Sequence, residues 1–280
     1  MYKTILVHVD ATKQSAARVE TASRLAIANE SHLVGTALTG LAAFMFPVSA
    51  MDAGMPAIVF PIEELRAGAE SALDKFDASA RALGVASVER RCLDEEVGVG
   101  LCLQARYADL VVISQIPAGD AAPYVQPDFP QYTVVNCARP VLVLPAAHDP
   151  AKQIGQRVTV AWNGSPEAVH AIASALGVLR RAEKVNLLVM LGDQTDDMHG
   201  DQPGADMALY LARHGVKVEV NLVHTSGDDD GQELLTFADE QASDLIVMGA
   251  FGHSRFREFV LGGVTRTAMR VSHIPLWLAH

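Results

Sequence analysis

Residues 108–113 read ADLVVI, and residues 243–248 read SDLIVM, 135 positions later in the chain. Both stretches are short runs of β-branched and aliphatic residues that follow an Asp, a pattern typical of a buried strand. The same offset aligns the apolar run after Pro140 with the run after Pro275. The chain therefore consists of two copies of one unit, each ending in a buried strand.

Strand-like and helical stretches alternate in each copy, which predicts an α/β fold with a parallel sheet. The two copies also begin alike, since ILVHVD at residues 5–10 resembles VTVAWN at residues 158–163. We expect five strands per copy, at 3–9, 32–38, 85–92, 109–113 and 141–145 and at 158–162, 185–190, 216–223, 244–248 and 275–279. Helices are expected at 166–181, 203–214, 231–242 and 263–272 in the second copy. The connection at 145–156 separates two predicted domains, 1–147 and 155–280.

The composition of the 280-residue chain, 50% hydrophobic and 20% charged, is that of an ordinary globular protein. Its formal net charge of -11 would repel a polyanion, so we expect no nucleic-acid partner. The three cysteines have no CxxC spacing, which favours a reducing compartment and thiols that are buried as small apolar groups.

Nothing near the N-terminus resembles a secretion signal, so the sequence predicts a cytoplasmic protein. Residues 33–51 carry no charge, but Gly, Thr, Pro and Ser interrupt them. This content indicates a strand that runs into an apolar loop rather than a membrane span. We therefore expect no membrane partner.

A glycine-rich loop follows the predicted fourth strand of the second copy, with Gly249 and Gly252 at its start and Gly262 and Gly263 at its end. Glycines let backbone N–H groups approach phosphate oxygens and adopt positive φ, and the helix that follows adds further donors. In a parallel sheet such a loop lies at the carboxyl ends of the strands, where ligands bind. Positive charge is gathered there as well, at Arg255, Arg257, Arg266 and Arg270. Arg266 and Arg270 also fit a solvated helix face.

The spacing Gly249-x2-Gly252-x9-Gly262 on a five-stranded βαβ unit resembles the nucleotide-binding signature of the universal stress protein family. The doubled chain resembles the tandem members of that family. The resemblance implies two flavodoxin-like domains of the adenine nucleotide hydrolase-like type, each a parallel sheet of order 3-2-1-4-5 flanked by helices. It also implies a stress-response role and ATP, with or without Mg²⁺, as the ligand across the ends of strands one and four.

Carried over by position, the resemblance implies that the glycines line the ribose and phosphates. Asn163 then contacts the adenosine part, and the backbone of Met190 contacts adenine. The complete nucleotide-binding set is Asn163, Met190, Gly249, Gly252, Ser254, Arg255, Gly262, Gly263, Val264 and Thr265. Two residues depart from the family pattern. Gly263 stands where a hydroxyl side chain is usual. Asn163 replaces an Asp, and because its amide is neutral and both donates and accepts hydrogen bonds, it would contact a different edge of the adenosine part.

The first copy lacks these glycines. At the offset of 135 the equivalent positions hold Ser114, Pro117, Pro127 and Asp128. Proline has no N–H, and the acid would repel a phosphate. We predict that this copy binds no ATP and that Asp10, at the end of its first strand, is a polar residue rather than a ligand contact.

The function expected from these features is regulatory, with nucleotide occupancy changing a surface that an unknown protein partner reads. A slow ATP hydrolase and a nucleotide-free dimerisation or scaffold protein remain alternatives. No catalytic residue and no metal ligand can be assigned, and the acidic run at 228–230 is typical of a solvated turn. Single-domain relatives pair through their sheets, so we expect a homodimer or an intramolecular pseudo-dimer. The apolar segment 39–61 could cover a small ligand or bury against a second chain.

Overall fold

The computed structural model of the chain describes residues 2–41, 61–117, 125–191, 202–225, 229–252 and 263–280. The chain divides into two compact units. The first unit comprises Met1–Thr133 with Cys137–Arg139, and the second comprises Val134–Asn136 with Pro140–His280. The predicted domains follow the sequence repeat, whereas these units follow the packing of the strands.

The first unit is a parallel sheet of strand order β3-β2-β1-β4 with helices in the crossovers. Its elements are β1 (Thr4–His8), α1 (Ser15–Asn29), β2 (His32–Leu38), α2 (Ile62–Leu83), β3 (Ser87–Leu93), α3 (Val97–Ala105), β4 (Leu110–Ser114) and α4 (Phe129–Asn136). The last three residues of α4 group with the second unit. Strands β1 and β4 are almost fully buried, as expected for strands covered on both faces.

The second unit is a sheet of order β5-β10-β9-β6-β7-β8. Its elements are β5 (Val141–Leu144), β6 (Arg157–Ala161), α5 (Pro166–Leu179), β7 (Lys184–Leu191), α6 (Ala205–Arg213), β8 (Val218–His224), α7 (Asp230–Glu240), β9 (Leu245–Gly249), α8 (Gly263–Val271) and β10 (Leu276–Ala279). The pairing of β5 with β10 is antiparallel, and the other described pairings are parallel.

The predicted α/β fold with a mostly parallel sheet flanked by helices is confirmed. The second copy has the expected order 3-2-1-4-5, as β8-β7-β6-β9-β10. In the first copy, strands one to four also follow that order, and the fifth strand, β5, is grouped with the second unit, where it pairs with β10. The strands that end the two copies thus lie side by side.

A repeated Asp explains why the offset of 135 is so regular at the fourth strands. Asp109 Oδ2 accepts hydrogen bonds from the backbone N–H groups of Lys3 (2.7 Å) and Thr4 (3.0 Å). Asp244 does the same in the second unit, where Oδ1 accepts from Gly155 N at 2.7 Å. Each carboxylate therefore ties the start of the first strand to the start of the fourth, and it must keep its place in both copies.

The helix boundaries follow the local signals. Ser165 caps α5, since its Oγ accepts a hydrogen bond from Ala168 N (3.2 Å), and Pro166 occupies the first helical position. Gly215, with φ of +79°, follows the end of α6. Helix α5 ends at Leu179, two residues before the predicted end.

Three further expectations from the sequence concern a membrane span, the apolar segment and the cysteines. Within these residues, no helix is both long and apolar enough to cross a membrane. The apolar segment expected to form a lid or an interface falls mostly on residues 42–60, outside the described residues. The expectation of fully buried cysteines is correct for Cys137 but wrong for Cys92 and Cys102, which are half-buried.

Candidate functional site

The candidate site of the second unit lies at the carboxyl ends of β6 and β9. These strands are parallel neighbours, with Ala161 opposite Met248, so the chain leaves both at the same sheet edge. Asn163 follows β6 by two residues, and Gly249 ends β9. The first turn of α5 adjoins this edge, as its contacts with Gly249 and Gly252 show. Strand order reverses between β6 and β9, which is where ligands bind in open α/β sheets.

Gly249 is required by close packing. A Cβ at this position would lie 2.5 Å from Ala168 N and 2.7 Å from the carbonyl carbon of Glu167. Both atoms are backbone, so no side-chain movement could relieve the contact. The glycine thus allows the end of β9 to touch the first turn of α5, a structural reason that does not depend on a ligand.

Gly252 has a different environment. Its Cβ would meet the Glu167 carboxylate, with Oε2 at 3.1 Å, and the Ser165 hydroxyl at 3.7 Å, both of them side-chain groups. Contrary to expectation, the positive φ near this loop start belongs to Phe251 (φ of +54°), and neither Gly249 nor Gly252 has one. Gly252 is exposed, and its backbone lies beside the carboxylate of Glu167.

Asn163 is exposed and organises the turn into α5. Its Oδ1 accepts a hydrogen bond from Ser165 N at 3.1 Å, which shapes the chain just before the helix cap. Gly164, between them, has φ of +74°, a conformation that glycine adopts without strain. The side chain that the sequence assigned to adenosine thus also has a structural role at the start of α5.

Thr265 closes the loop on its other side. Its hydroxyl accepts a hydrogen bond from Phe251 N (3.3 Å), and its side chain is buried. Thr265 therefore joins the start of the loop after β9 to the first turn of α8. Gly263 is exposed at the first position of α8, with no described atom within 4 Å of its Cβ position. Val264 is half-buried.

Met190 lies at the same edge of the sheet, on the far side of β6 from Gly249. It is half-buried near the end of β7, opposite Val223 of β8. The backbone of Trp162 donates a hydrogen bond to Leu188 O at 2.9 Å, so β6 and β7 remain paired up to this point. The structure thus brings Asn163, Met190, Gly249, Gly252, Gly263, Val264 and Thr265 to the carboxyl edge of one sheet.

The sequence model of the universal stress protein family matches residues 155–280, the range that holds this site. The second half of the chain belongs to the universal stress protein family. A universal stress protein of Synechocystis sp. is 25% identical over 178 residues, which are 62% of this chain and 60% of that protein. The match thus spans less than two thirds of the relative's length.

Solved structures with low sequence identity share the fold over the whole chain. A universal stress protein from Archaeoglobus fulgidus is 16% identical, with a TM-score of 0.74 and coverage of 99% of this chain and 95% of that chain. A functionally unknown protein from Pseudomonas aeruginosa is 12% identical, with a TM-score of 0.63 and coverage of 99% and 92%. These similarities establish the architecture for both halves, and the family match supports a role in stress response.

Three residues of the predicted nucleotide-binding set, Ser254, Arg255 and Gly262, lie outside the described residues, as does Arg257. Arg266 and Arg270 are exposed on α8. Among the described residues, no His, Cys, Asp and Glu side chains form a group of three or more that could hold a metal ion.

Glu167 is a site residue that sequence reasoning missed. It lies in the first turn of α5, and its carboxylate is next to Gly252. An acidic residue in the first turn is common in any helix because it complements the helix dipole, so its position in the sequence gives no special signal. Only its contact with Gly252, in the loop after β9, identifies Glu167 as part of the candidate site.

In the first unit, the equivalent edge is filled by a buried ion cluster. Arg18 is 2% exposed and donates from Nε to His8 O (2.6 Å) and from Nη1 to Ser114 Oγ (3.1 Å). Its Nη2 lies 2.9 Å from Asp10 Oδ1, and His8 Nδ1 lies 3.6 Å from the other carboxylate oxygen. Asp10 is therefore held by protein groups at the strand end.

The cluster changes the titration of two of its members. Burial lowers the pKa of His8 to about 4, although the charge of Asp10 acts in the opposite direction. Burial by itself raises the pKa of Asp10, but the charges of Arg18 and His8 and the hydrogen bonds from Thr12 outweigh it and hold the pKa below its usual range. At neutral pH the cluster is therefore an Arg–Asp ion pair next to a neutral imidazole.

A cleft of about 440 Å³ also borders Asp10 in the first unit. It lies between α1 and α2, and its lining includes Ser15, Ser71, Lys75 and Phe76. The cleft is on the flank of the helices, and none of the residues carried over from the nucleotide signature lines it.

Proposed function

We propose that the second unit binds ATP or a related adenine nucleotide and acts as a nucleotide-dependent interaction module. The observation that carries the proposal is the convergence of the loop after β9 with the first turns of α5 and α8 at the carboxyl edge of one sheet. Helix N-termini and exposed loop amides are suited to phosphate oxygens. Gly252, which no backbone atom crowds, fits a close approach by a ligand.

The proposal assigns a role in nucleotide binding to each residue of the predicted set. The amide of Asn163 and the backbone of Met190 recognise the adenosine part. Gly252, beside Glu167, lines the ribose. The N–H groups of Gly262 and Gly263, with the side chains of Ser254 and Arg255, bind the phosphates. Val264 and Thr265 support the start of α8, and Gly249 holds β9 against α5. A Mg²⁺ ion brought by ATP would be held through the phosphates.

Glu167 suits the ribose rather than the phosphates. A carboxylate next to a phosphate is unfavourable, whereas carboxylates accept hydrogen bonds from ribose hydroxyls in other α/β nucleotide sites. We expect wild-type protein to bind 2′-deoxy-ATP or 3′-deoxy-ATP more weakly than ATP. A Glu167→Gln variant should bind ATP more weakly and lose most of that discrimination, and an unchanged ratio would remove Glu167 from the site.

The first experiment is to denature freshly purified protein and identify any released nucleotide by chromatography and mass spectrometry. Wild-type protein should release nearly one ATP or ADP per chain, and a Gly252→Glu variant should release none. The matched control is Pro117→Glu at the repeat-equivalent position of the first copy, which should retain the nucleotide. A wild-type sample that is empty and gives no heat when titrated with ATP would refute the proposal.

The regulatory part of the proposal concerns the loop at 253–262. Nucleotide binding should protect Arg255 and Arg257 from trypsin, because their surroundings would differ between the free and bound states. Identical cleavage with and without ATP would contradict this mechanism while leaving nucleotide binding intact. Accumulation of ADP above a no-protein control, lost in Gly252→Glu, would instead favour the slow hydrolase.

A nucleotide-free scaffold is the second candidate, and the packing of Gly249 favours it. Because that glycine is needed by the fold, part of the nucleotide signature persists without a ligand. The antiparallel pairing of β5 with β10 occupies the closing strands of both copies. We propose that this pairing replaces the sheet pairing of single-domain relatives, which makes the chain an intramolecular pseudo-dimer in the cytoplasm. Sedimentation of a monomer would agree with this assignment, and a stable homodimer would require another interface.

A further inference from the structure

Helices α3 and α4 of the first unit pack closely through a glycine. A Cβ at Gly98 of α3 would lie 2.7 Å from the ring of Tyr132 on α4. Cys102 is one turn further along α3 on the same face, since residues four apart on a helix are neighbours. The packing therefore brings the Cys102 thiol to the last turn of α4.

Cys102 and Cys137 meet at the carbonyl oxygen of Thr133. Cys137 ends α4, and its backbone N–H donates to this oxygen at 2.9 Å. Cys102 Sγ lies 3.9 Å from the same oxygen. The two thiols are close enough to shift the pKa of one another. Neither thiol belongs to the proposed nucleotide site or to the ion cluster around Arg18.

The two thiols are chemically unequal. The hydrogen bond from Cys102 lowers the pKa of Cys137, and the backbone N–H and charge of Arg139 act in the same direction. The pKa of Cys102 is raised by its hydrogen bond to Cys137 and by burial. Since the thiolate is the nucleophile, Cys137 is the attacking sulfur and Cys102 is the partner that resolves the product.

We propose that Cys102 and Cys137 are an oxidation site that reacts with hydroperoxides to form an intramolecular disulfide. The Cys137 thiolate attacks one oxygen of hydrogen peroxide, the O–O bond breaks, and the departing hydroxide takes up a proton to become water. Cys102 then attacks the sulfenic acid, loses its thiol proton, and displaces a second water as the S–S bond forms. The two thiols lose two electrons, and one peroxide is reduced to two waters.

Burial selects the class of oxidant. Cys137 is only 6% exposed and Cys102 is half-buried, so a small peroxide can reach the pair more easily than a bulky disulfide such as oxidised glutathione. The bridge would link α3 to the end of α4 and enclose β4 between the two cysteines. It would therefore fix the segment that leads directly into β5.

The test treats reduced full-length protein with hydrogen peroxide, alkylates it in denaturant and maps the peptides without reduction. We expect two of the three thiols to resist alkylation and the peptides of Cys102 and Cys137 to be linked, in a form that dithiothreitol reverses. The matched control is Cys92→Ser, because Cys92 lies on β3; this variant should form the same link and retain no free thiol.

Further variants separate the steps. In Cys102→Ser, the oxidation should stop at a sulfenic acid on Cys137 that dimedone traps, and Cys137→Ser should form no internal disulfide. Three alkylatable thiols after peroxide treatment, a link that includes Cys92, or links only between chains would overturn the proposal. Oxidation by glutathione disulfide as fast as by peroxide would overturn the assignment of the oxidant class.

Discussion

Acidification should destabilise the protein through one buried side chain, His8. This imidazole is 2% exposed, and burial lowers its pKa from 6.5 to about 4. Between these values the unfolded chain takes up a proton that the folded chain does not, so the free energy of unfolding falls as the pH falls. At pH 4 the loss from this group is about 3 kcal/mol.

The neighbours of His8 set the lower limit of the effect. The pKa of Asp10 is held below its usual 3.8, so this carboxylate stabilises the folded state above that value and loses its contribution only at still lower pH. The pKa of His148 is also lowered, chiefly by burial, and this adds a background of the same sign. The window between pH 6.5 and 4 therefore reports mainly on His8.

The assay is urea unfolding of the wild type and of a His8→Gln variant at both ends of this window. Dilute protein and moderate salt are needed because the chain passes its isoelectric point near 5.3. The variant lacks the titrating group, so it should lose about 3 kcal/mol less stability than the wild type on acidification. An equal loss in both proteins would refute the assignment of a neutral, buried imidazole at His8.

Five further substitutions test packing and polar contacts by chemical denaturation. Gly249→Ala should lower the free energy of unfolding by about 1–3 kcal/mol, because the added Cβ would lie 2.5 and 2.7 Å from backbone atoms. Gly263→Ala should raise it by about 0.4–1 kcal/mol, because the start of α8 is open at that position. Equal effects of the two substitutions would be inconsistent with this packing. Asp244→Asn should cost about 1–3 kcal/mol, with a similar cost for Asp109→Asn, since each carboxylate binds backbone N–H groups at the start of its sheet; a neutral effect would remove this anchoring role. Asn186→Val should stabilise the protein by about 1–2 kcal/mol, because both amide atoms are buried without a hydrogen-bond partner in the described structure, and a loss would imply one.

The repeat predicted the fold well because its regularity has a physical cause. Asp109 and Asp244 hold the same place in their sheets, and the apolar runs after them are buried on both faces. Such contacts tolerate no insertion, so the offset is visible in the sequence. The partner of β5 is not visible in this way, because VLVL would suit any buried strand and its pairing with β10 joins distant parts of the chain.

The sequence indicated where the candidate residues lie in the fold, but not what they contact. The glycines indicated the loop after β9, yet residue type alone does not separate close packing at Gly249 from ligand approach at Gly252. Phe251 adopts the left-handed conformation that was expected of a glycine. Glu167 looked like an ordinary first-turn acid, and its place beside Gly252 depends on the meeting of α5 with β9.

The ion cluster of the first unit gives the clearest reason why the two copies differ. Its four members are His8, Asp10, Arg18 and Ser114. The residues at the same spacings in the second copy are Ala161, Asn163, Ala171 and Gly249. Each charged or hydrogen-bonding member is replaced by a small residue or a neutral amide.

These replacements act together. Ala171 stands where the first copy has Arg18, so no guanidinium at that position can satisfy a carboxylate at the strand end, and a neutral Asn163 there avoids an unpaired charge. Without a side chain at Gly249, the end of β9 can close on the first turn of α5. In the first copy, Arg18 thus pairs with the polar groups at the point where the strand order reverses. In the second copy, under the proposed function, a bound phosphate and backbone donors take that place.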